Sequence, residues 1–233
     1  FDTEEGAILG WNLTGVVTQA VVAVPPAGGA VFKGLAIAST GSGSRLYATD
    51  FHNGRVDVFD GSFAQVNIPG AFIDPKIPSG YAPFGIQNIG GDIFVTYAKQ
   101  DDAGHDDVPG QGHGFVDEFD TNGALLQRVA SHGQLNSPWG LAAAPASFGR
   151  FGGDLLIGNF GDGQINALRQ LPSGNYEHAG QLRSADGKTL AIDGLWSLQF
   201  GHGAVNNGPT DTLFFTAGPD GESHGLFGTI RAS

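Results

Sequence analysis

The chain has no cysteine and no methionine, and its 11 lysines and arginines face 23 aspartates and glutamates across 233 residues. Without cysteine there are no disulfides and no thiolate metal sites. The redox compartment stays open, because a domain with a large core holds together unstapled. Without methionine, Phe1 is expected to lie downstream of the natural start. A formal net charge of −12 excludes a nucleic acid as partner, since counterion release rewards lysine and arginine. No apolar run reaches the roughly 18–20 residues that a membrane-spanning helix needs. No basic, apolar leader opens the chain either, so an exported product is expected to have lost its signal.

What the chain has in abundance is glycine, 39 residues, with 12 prolines and 17 phenylalanines. That composition describes short strands joined by tight turns, at a length that one all-β domain fills. An apolar strand recurs as LYATD from Leu46, IFVTY from Ile93, LLIGN from Leu155 and LFFTA from Leu213. Each is followed by an alternating strand: GRVDVF from Gly54, GFVDEF from Gly114, GQINAL from Gly163 and GLFGTI from Gly225. GAILGW from Gly6 has the same shape. Each apolar strand is preceded by a glycine-bearing one, KGLAIAS, PFGIQNI, PWGLAAA or DGLWSLQF, where glycine suits close approach of neighbouring sheets. A fourth, outer strand is expected near Val16–Val24, Ala64–Ile68, Leu125–Ala130 and Tyr176–Leu182.

Four matching units of four strands predict an all-β fold, a β-propeller of four-stranded antiparallel sheets. A sandwich lacks such units, and the coils of a β-helix are much shorter. The reading is a single domain over 1–233, with repeats at about 16–60, 63–120, 124–169 and 175–231 and an orphan strand of a preceding blade at 6–12. The ring is expected to be six-bladed when complete, with about four and a half blades here. A second chain, or a segment outside this sequence, would supply the missing blades.

The stretches FDTEEGAILGWN, YAKQDDAGHDDVPGQGHGFVDEFDTNG, LNSPWGLAAAPASFGRFGGDLLIGNFGDGQINA, IDGLWSLQFGHG and FFTAGPDGESHGLFGTI resemble a family of uncharacterised, mostly bacterial secreted propellers. That family occurs in organisms with the PEP-CTERM surface-sorting system. Its blades are similar to NHL-type repeats and, more distantly, to gluconolactonase-like propellers. The resemblance covers essentially the whole chain. It implies a six-bladed propeller, a secreted, periplasmic or cell-surface location, and a further region ahead of Phe1. It implies no activity.

Three places can carry chemistry. The segment DDAGHDDVPGQGHG offers Asp101, Asp102, His105, Asp106, Asp107 and His113 as oxygen and imidazole ligands for calcium or another divalent cation. Its spacing fits no EF-hand and no HExxH helix, and crowding four aspartates costs energy without a counter-charge. The equivalent loop of the last repeat holds Asp220, Glu222, Ser223 and His224 as a binding cluster, expected on the same rim. Ser223 and His224 are chain neighbours with no glycine elbow, which speaks against a hydrolase triad. The apolar strands end at Asp50, Tyr97, Asn159 and Ala217. Asp50 and Asn159 suit a channel metal site of the gluconolactonase kind, in which a cation polarises a lactone carbonyl; the alternative is that both cap turns. Trp139 and Trp196 are expected in the core.

The expectation is therefore a non-catalytic extracytoplasmic scaffold that binds a protein, a glycan or a cell-surface component through loops on one rim. The alternative is a metal-dependent hydrolase of the lactonase type at the channel mouth. No cofactor is certain.

Overall fold

In the computed structural model the described residues are 1–12, 14 and 18–232. The strands are β1 Ile8–Gly10, β2 Val21–Val24, β3 Phe32–Thr40, β4 Gly43–Asp50, β5 Arg55–Phe59, β6 Tyr81–Ile89, β7 Asp92–Lys99 and β8 Phe115–Phe119. They continue as β9 Leu125–Ser131, β10 Pro138–Ala143, β11 Leu155–Asn159, β12 Ile165–Gln170, β13 Tyr176–Gln181, β14 Leu195–Phe200, β15 Thr212–Ala217 and β16 Leu226–Arg231. Strands that follow one another in sequence pair in the sheets β1-β2, β3-β4-β5, β6-β7-β8-β9, β10-β11-β12-β13 and β14-β15-β16, with antiparallel ladders in β1-β2, β3-β4-β5, β6-β7, β10-β11-β12-β13 and β14-β15-β16. This is the propeller architecture that the repeats predict, an up-and-down sheet renewed along the chain.

The chain divides into two compact units, Phe1–Asp107 with Asp117–Arg128, and Val108–Val116 with Val129–Ser233. In the first, Ile8, Phe32, Ala48 and Phe59 form a core, with Phe32 and Phe59 edge-to-face at 6.5 Å. In the second, Leu156, Ile165, Leu195, Leu198, Leu213 and Phe215 belong to a larger one. The second strand of each of the four larger sheets runs through the core: Tyr47, Ala48, Ile93, Val95, Leu156, Ile157 and Leu213 are inaccessible. A central strand is covered on both faces, which is why LYATD and its copies read as continuous apolar runs.

Two strand expectations change. The strand at Gly6–Trp11 pairs with the next one, β1 with β2 through Leu9↔Val22 and Gly10↔Val21, as β8 pairs with β9 and β12 with β13. The outer strand expected from Val16 thus begins at Val21, and Val16 itself lies outside the described residues. The outer strand expected at Ala64–Ile68 is reduced to a single bridge, Phe59↔Gln65, with Val66 N–H donating to Val58 O at 2.7 Å. Pro69 comes directly after it; it has no N–H to extend a ladder, and the chain turns at Gly70.

One irregularity recurs in the first strand of four sheets. The register shifts between Phe32 and Leu35, Pro83 and Ile86, Pro138 and Gly140, and Leu195 and Leu198. These are bulges, and a bulge re-aims a side chain. The residues they turn out of the ladder include Lys33, Phe84, Trp139 and Trp196. In three sheets a threonine of the second strand bonds the bulged backbone. Thr49 Oγ1 donates to Phe84 O at 2.7 Å, Gly85 N–H donates to Thr96 Oγ1 at 2.8 Å, and Ser197 N–H donates to Thr216 Oγ1 at 3.3 Å. In the remaining sheet the corresponding residue is Gly158, and Leu195 packs where its side chain would be.

Candidate functional site

The loop after β7 does not gather its candidate ligands. Asp101 folds the turn on itself, its Oδ1 accepting the backbone N–H of His105 at 2.9 Å and of Asp106 at 3.3 Å. Asp106 Oδ1 lies 2.9 Å from His105 Nδ1 and 3.3 Å from Lys33 Nζ. Although burial pushes the Asp106 carboxyl up, the His105 and Lys33 contacts prevail and hold it below the usual carboxylate range. Lys33 also pairs with Glu4, and its side chain is only 10% exposed. The counter-charge missing from the loop's own sequence is therefore the bulged residue of β3. Asp102 points to solvent, Asp107 is half-buried, and His113 belongs to the second unit, where its Nδ1 meets Val108 O at 2.9 Å. Among the described residues no three His, Asp or Glu side chains converge as a metal-binding group.

Asp50 is buried with both oxygens engaged. Oδ1 accepts from Val31 N–H at 3.3 Å and Asn53 N–H at 3.2 Å, while Oδ2 accepts from Asn53 Nδ2 at 2.7 Å and lies 3.3 Å from Arg55. This is the turn-capping alternative. Asn159 differs. Its Nδ2 donates to Gln134 O at 2.8 Å and to Asp162 Oδ1 at 3.1 Å, but its buried Oδ1 has no partner.

In the second unit the loop between β15 and β16 is exposed from Asp220 to Gly225. Ser223 Oγ lies 3.0 Å from His224 Nδ1, and Asp220 Oδ2 lies 3.5 Å from the same nitrogen. A relay needs the serine on one ring nitrogen and the carboxylate on the other. Here both address Nδ1, so the three cannot pass a proton in sequence. Glu222 does something else: its Oε1 accepts the indole N–H of Trp196 at 2.9 Å.

That indole marks the feature the residue pattern concealed. Trp139 and Trp196 are partly buried at the surface rather than core, and Trp11 is 50% exposed. The bulges of β10 and β14 turn the first two out of the ladder, with their rings 6.0 Å apart at 70°. Phe160 stands against Trp139 at 6.2 Å and 81°. A signal existed in the sequence: aligning the first strands puts Lys33, Phe84, Trp139 and Trp196 in one column. In the first unit, Trp11 lines an apolar cavity of about 450 Å³ with Leu9, Leu35, Ile37, Leu46 and Phe63.

The first unit also buries an ion cluster. Arg128 bonds Asp117 Oδ1 and Asp74 Oδ2, and both carboxylates are buried. Burial, opposed by Arg128 and assisted by Asp74, raises the Asp117 carboxyl to about 6. Burial likewise pushes the Tyr97 phenol well up. Between about pH 4 and 6 the folded chain keeps a proton on Asp117 that the unfolded chain releases. This group's contribution to stability therefore falls as pH rises through that window. Melting curves at pH 4.5 and 7 should show the wild type losing more stability than Asp117→Asn, by about 2 kcal/mol. A difference that does not change with pH would contradict this assignment.

The comparisons with known proteins agree on the architecture. Solved β-propellers share the fold. A gluconolactonase from Xanthomonas campestris superposes with a TM-score of 0.62 at 17% identity, over 97% of this chain and 69% of that one. A calcium-binding regucalcin from Agrobacterium tumefaciens superposes with a TM-score of 0.54 at 12% identity, over 96% and 82%. In sequence, two uncharacterised proteins of Acanthamoeba polyphaga mimivirus are 35% and 34% identical over 205 residues, 86% of this chain in each case. The chain spans about half the length of these relatives, 48% and 51%. No family profile matches it.

Proposed function

We propose that this propeller is an extracytoplasmic binding module that displays loop side chains to a protein, glycan or surface component and carries out no chemistry of its own. The observation that carries this reading is the commitment of three candidate carboxylates of the first unit. Asp50, Asp101 and Asp106 are engaged by turns, Arg55, His105 and Lys33, which fixes the loops and leaves no shared set of oxygens for a catalytic cation. Loops held this way lose little entropy on binding. Immobilised protein should retain a specific component from cell-envelope extracts, with retention reduced when Asp102 and His105 are both changed to alanine. Retention of nothing, together with turnover of a small molecule, would sink the proposal.

A second reading, a metal-dependent lactonase, is favoured by one observation, the unpartnered buried Oδ1 of Asn159 in a fold shared with a gluconolactonase. If it holds, the purified chain contains a stoichiometric divalent ion, chelation lowers its melting temperature, and Asn159→Ala abolishes both metal and lactone hydrolysis. Metal-free protein with a melt indifferent to chelator removes this reading.

A further inference from the structure

We infer that Trp139, Trp196 and Phe160, with Glu222, form a corner that binds a methylated ammonium group. The inference rests on the reading of this chain as a binding module and names a ligand class for it.

The shape comes first. The rings meet steeply, at 70° between the tryptophans and 81° between Trp139 and Phe160. A sugar ring or a nucleobase stacks on one flat face. Inclined walls instead suit a compact, rounded head group that touches more than one ring.

Charge then selects the sign. Each ring face is the negative end of a quadrupole. The hydrogen bond from Trp196 Nε1 to the Glu222 carboxylate polarises the indole further in that direction. Asp193 lies beside the same loop, its Oδ2 accepting Asp220 N–H at 2.9 Å. Among the described residues none of Asp193, Asp220 and Glu222 is paired with lysine or arginine; the one charged contact is His224 with Asp220. An anion is repelled here, and a neutral ring gains nothing from three unneutralised carboxylates. A cation gains from the rings and from the carboxylates alike. A methylated ammonium sheds water more cheaply than a bare one, and its methyl groups match the apolar walls.

The corner is also held in place. A side chain on Gly218 would lie 2.6 Å from Trp196 Cζ2, so backbone packs directly against the indole. Asp220 and Glu222 both adopt left-handed backbone, with φ of 56° and 64°. Non-glycine residues keep that conformation only where their surroundings over-determine it. Here the strain sits in the loop that carries the indole's hydrogen-bond partner.

The test monitors tryptophan fluorescence and binding heat as choline is added, with the neutral isostere 3,3-dimethylbutan-1-ol in parallel. Choline should give a saturable change, with the isostere weaker by about tenfold or more, the worth of one desolvated cation–π contact. Trp196→Leu and Glu222→Gln should each weaken choline by about tenfold. Thermal melts confirm that both variants fold. A trimethyllysine peptide separates the sources: tighter binding than choline assigns the group to a modified protein side chain, and weaker binding assigns it to a free solute. No saturable response to choline or to the peptide overturns the inference. So does equal binding of the isostere, or unchanged affinity in a folded Trp196→Leu. Such a failure leaves the envelope retention experiment standing, and failed retention with intact choline binding would remove only the loop-based reading.

Discussion

Arg128→Ala is expected to cost about 3–5 kcal/mol of stability, the penalty for stranding buried charge. Arg128 is the cation that bonds both Asp74 and Asp117, and the two carboxylates are almost fully enclosed, with side chains 2% and 0% exposed. Truncation leaves both without their counter-charge, and Asp117 Oδ2 already lacks a partner. The deficit should shrink when pH is lowered below about 6, because Asp117 then takes up a proton and there is less charge to strand. Chemical denaturation at pH 7 and pH 5 measures both effects. Arg128→Lys should recover only part of the loss, since an ammonium cannot present the guanidinium's fork to two carboxylates. A loss under about 1 kcal/mol at pH 7 would mean that the cluster is effectively solvated, as surface pairs are.

Gly140→Val should be strongly destabilising to the second unit. A Cβ at Gly140 would sit 2.6 Å from the backbone oxygen of Trp196 and 2.9 Å from Leu198 Cγ, so β10 and β14 approach one another through this glycine. A carbonyl in a strand cannot swing aside as a side chain can. Overpacking of this kind typically costs about 1–3 kcal/mol, and valine's branches place it at or above the upper end. Gly41→Ala is the control, because nothing lies within 4 Å of its Cβ position, and its melt should stay within about 0.5 kcal/mol of wild type. Gly140→Ala should be intermediate. Because that substitution separates β10 from β14, it should also change the angle between Trp139 and Trp196 and weaken choline more than its effect on the melt suggests. If the Gly140 and Gly41 variants melt alike, the strands do not meet as described.

What was legible in the residues was whatever depends on one strand at a time. The runs LYATD, IFVTY, LLIGN and LFFTA became β4, β7, β11 and β15 because a strand covered on both faces writes its burial into consecutive apolar residues. Outer strands are half-solvated and shaped by the residues at their ends, so Pro69 truncates one that alternation alone predicted. Bulges escaped for a different reason: a bulge is a mismatch in residue count between two strands, and neither sequence contains it. Lys33 escaped as the acidic loop's counter-charge because 73 residues separate it from Asp106. Trp139 and Trp196 were expected inside on hydrophobicity, and the same bulges that a strand's own sequence hides bring them partly to the surface.

The repeated bulge has a consequence for how such chains change. In four sheets the same backbone device turns out one residue, and here that residue is lysine, phenylalanine or tryptophan. Its hydrogen bonds run through backbone and, in three of the sheets, a threonine, independent of which side chain is presented. At Trp139 and Trp196, which are partly exposed, the presented side chain can therefore be exchanged with little effect on the backbone that holds it, whereas Phe84 is buried against Phe51 and Lys33 carries the acidic loop's ion pairs. Recognition can be rewritten at the two tryptophan positions while the apolar strands beneath them keep their packing.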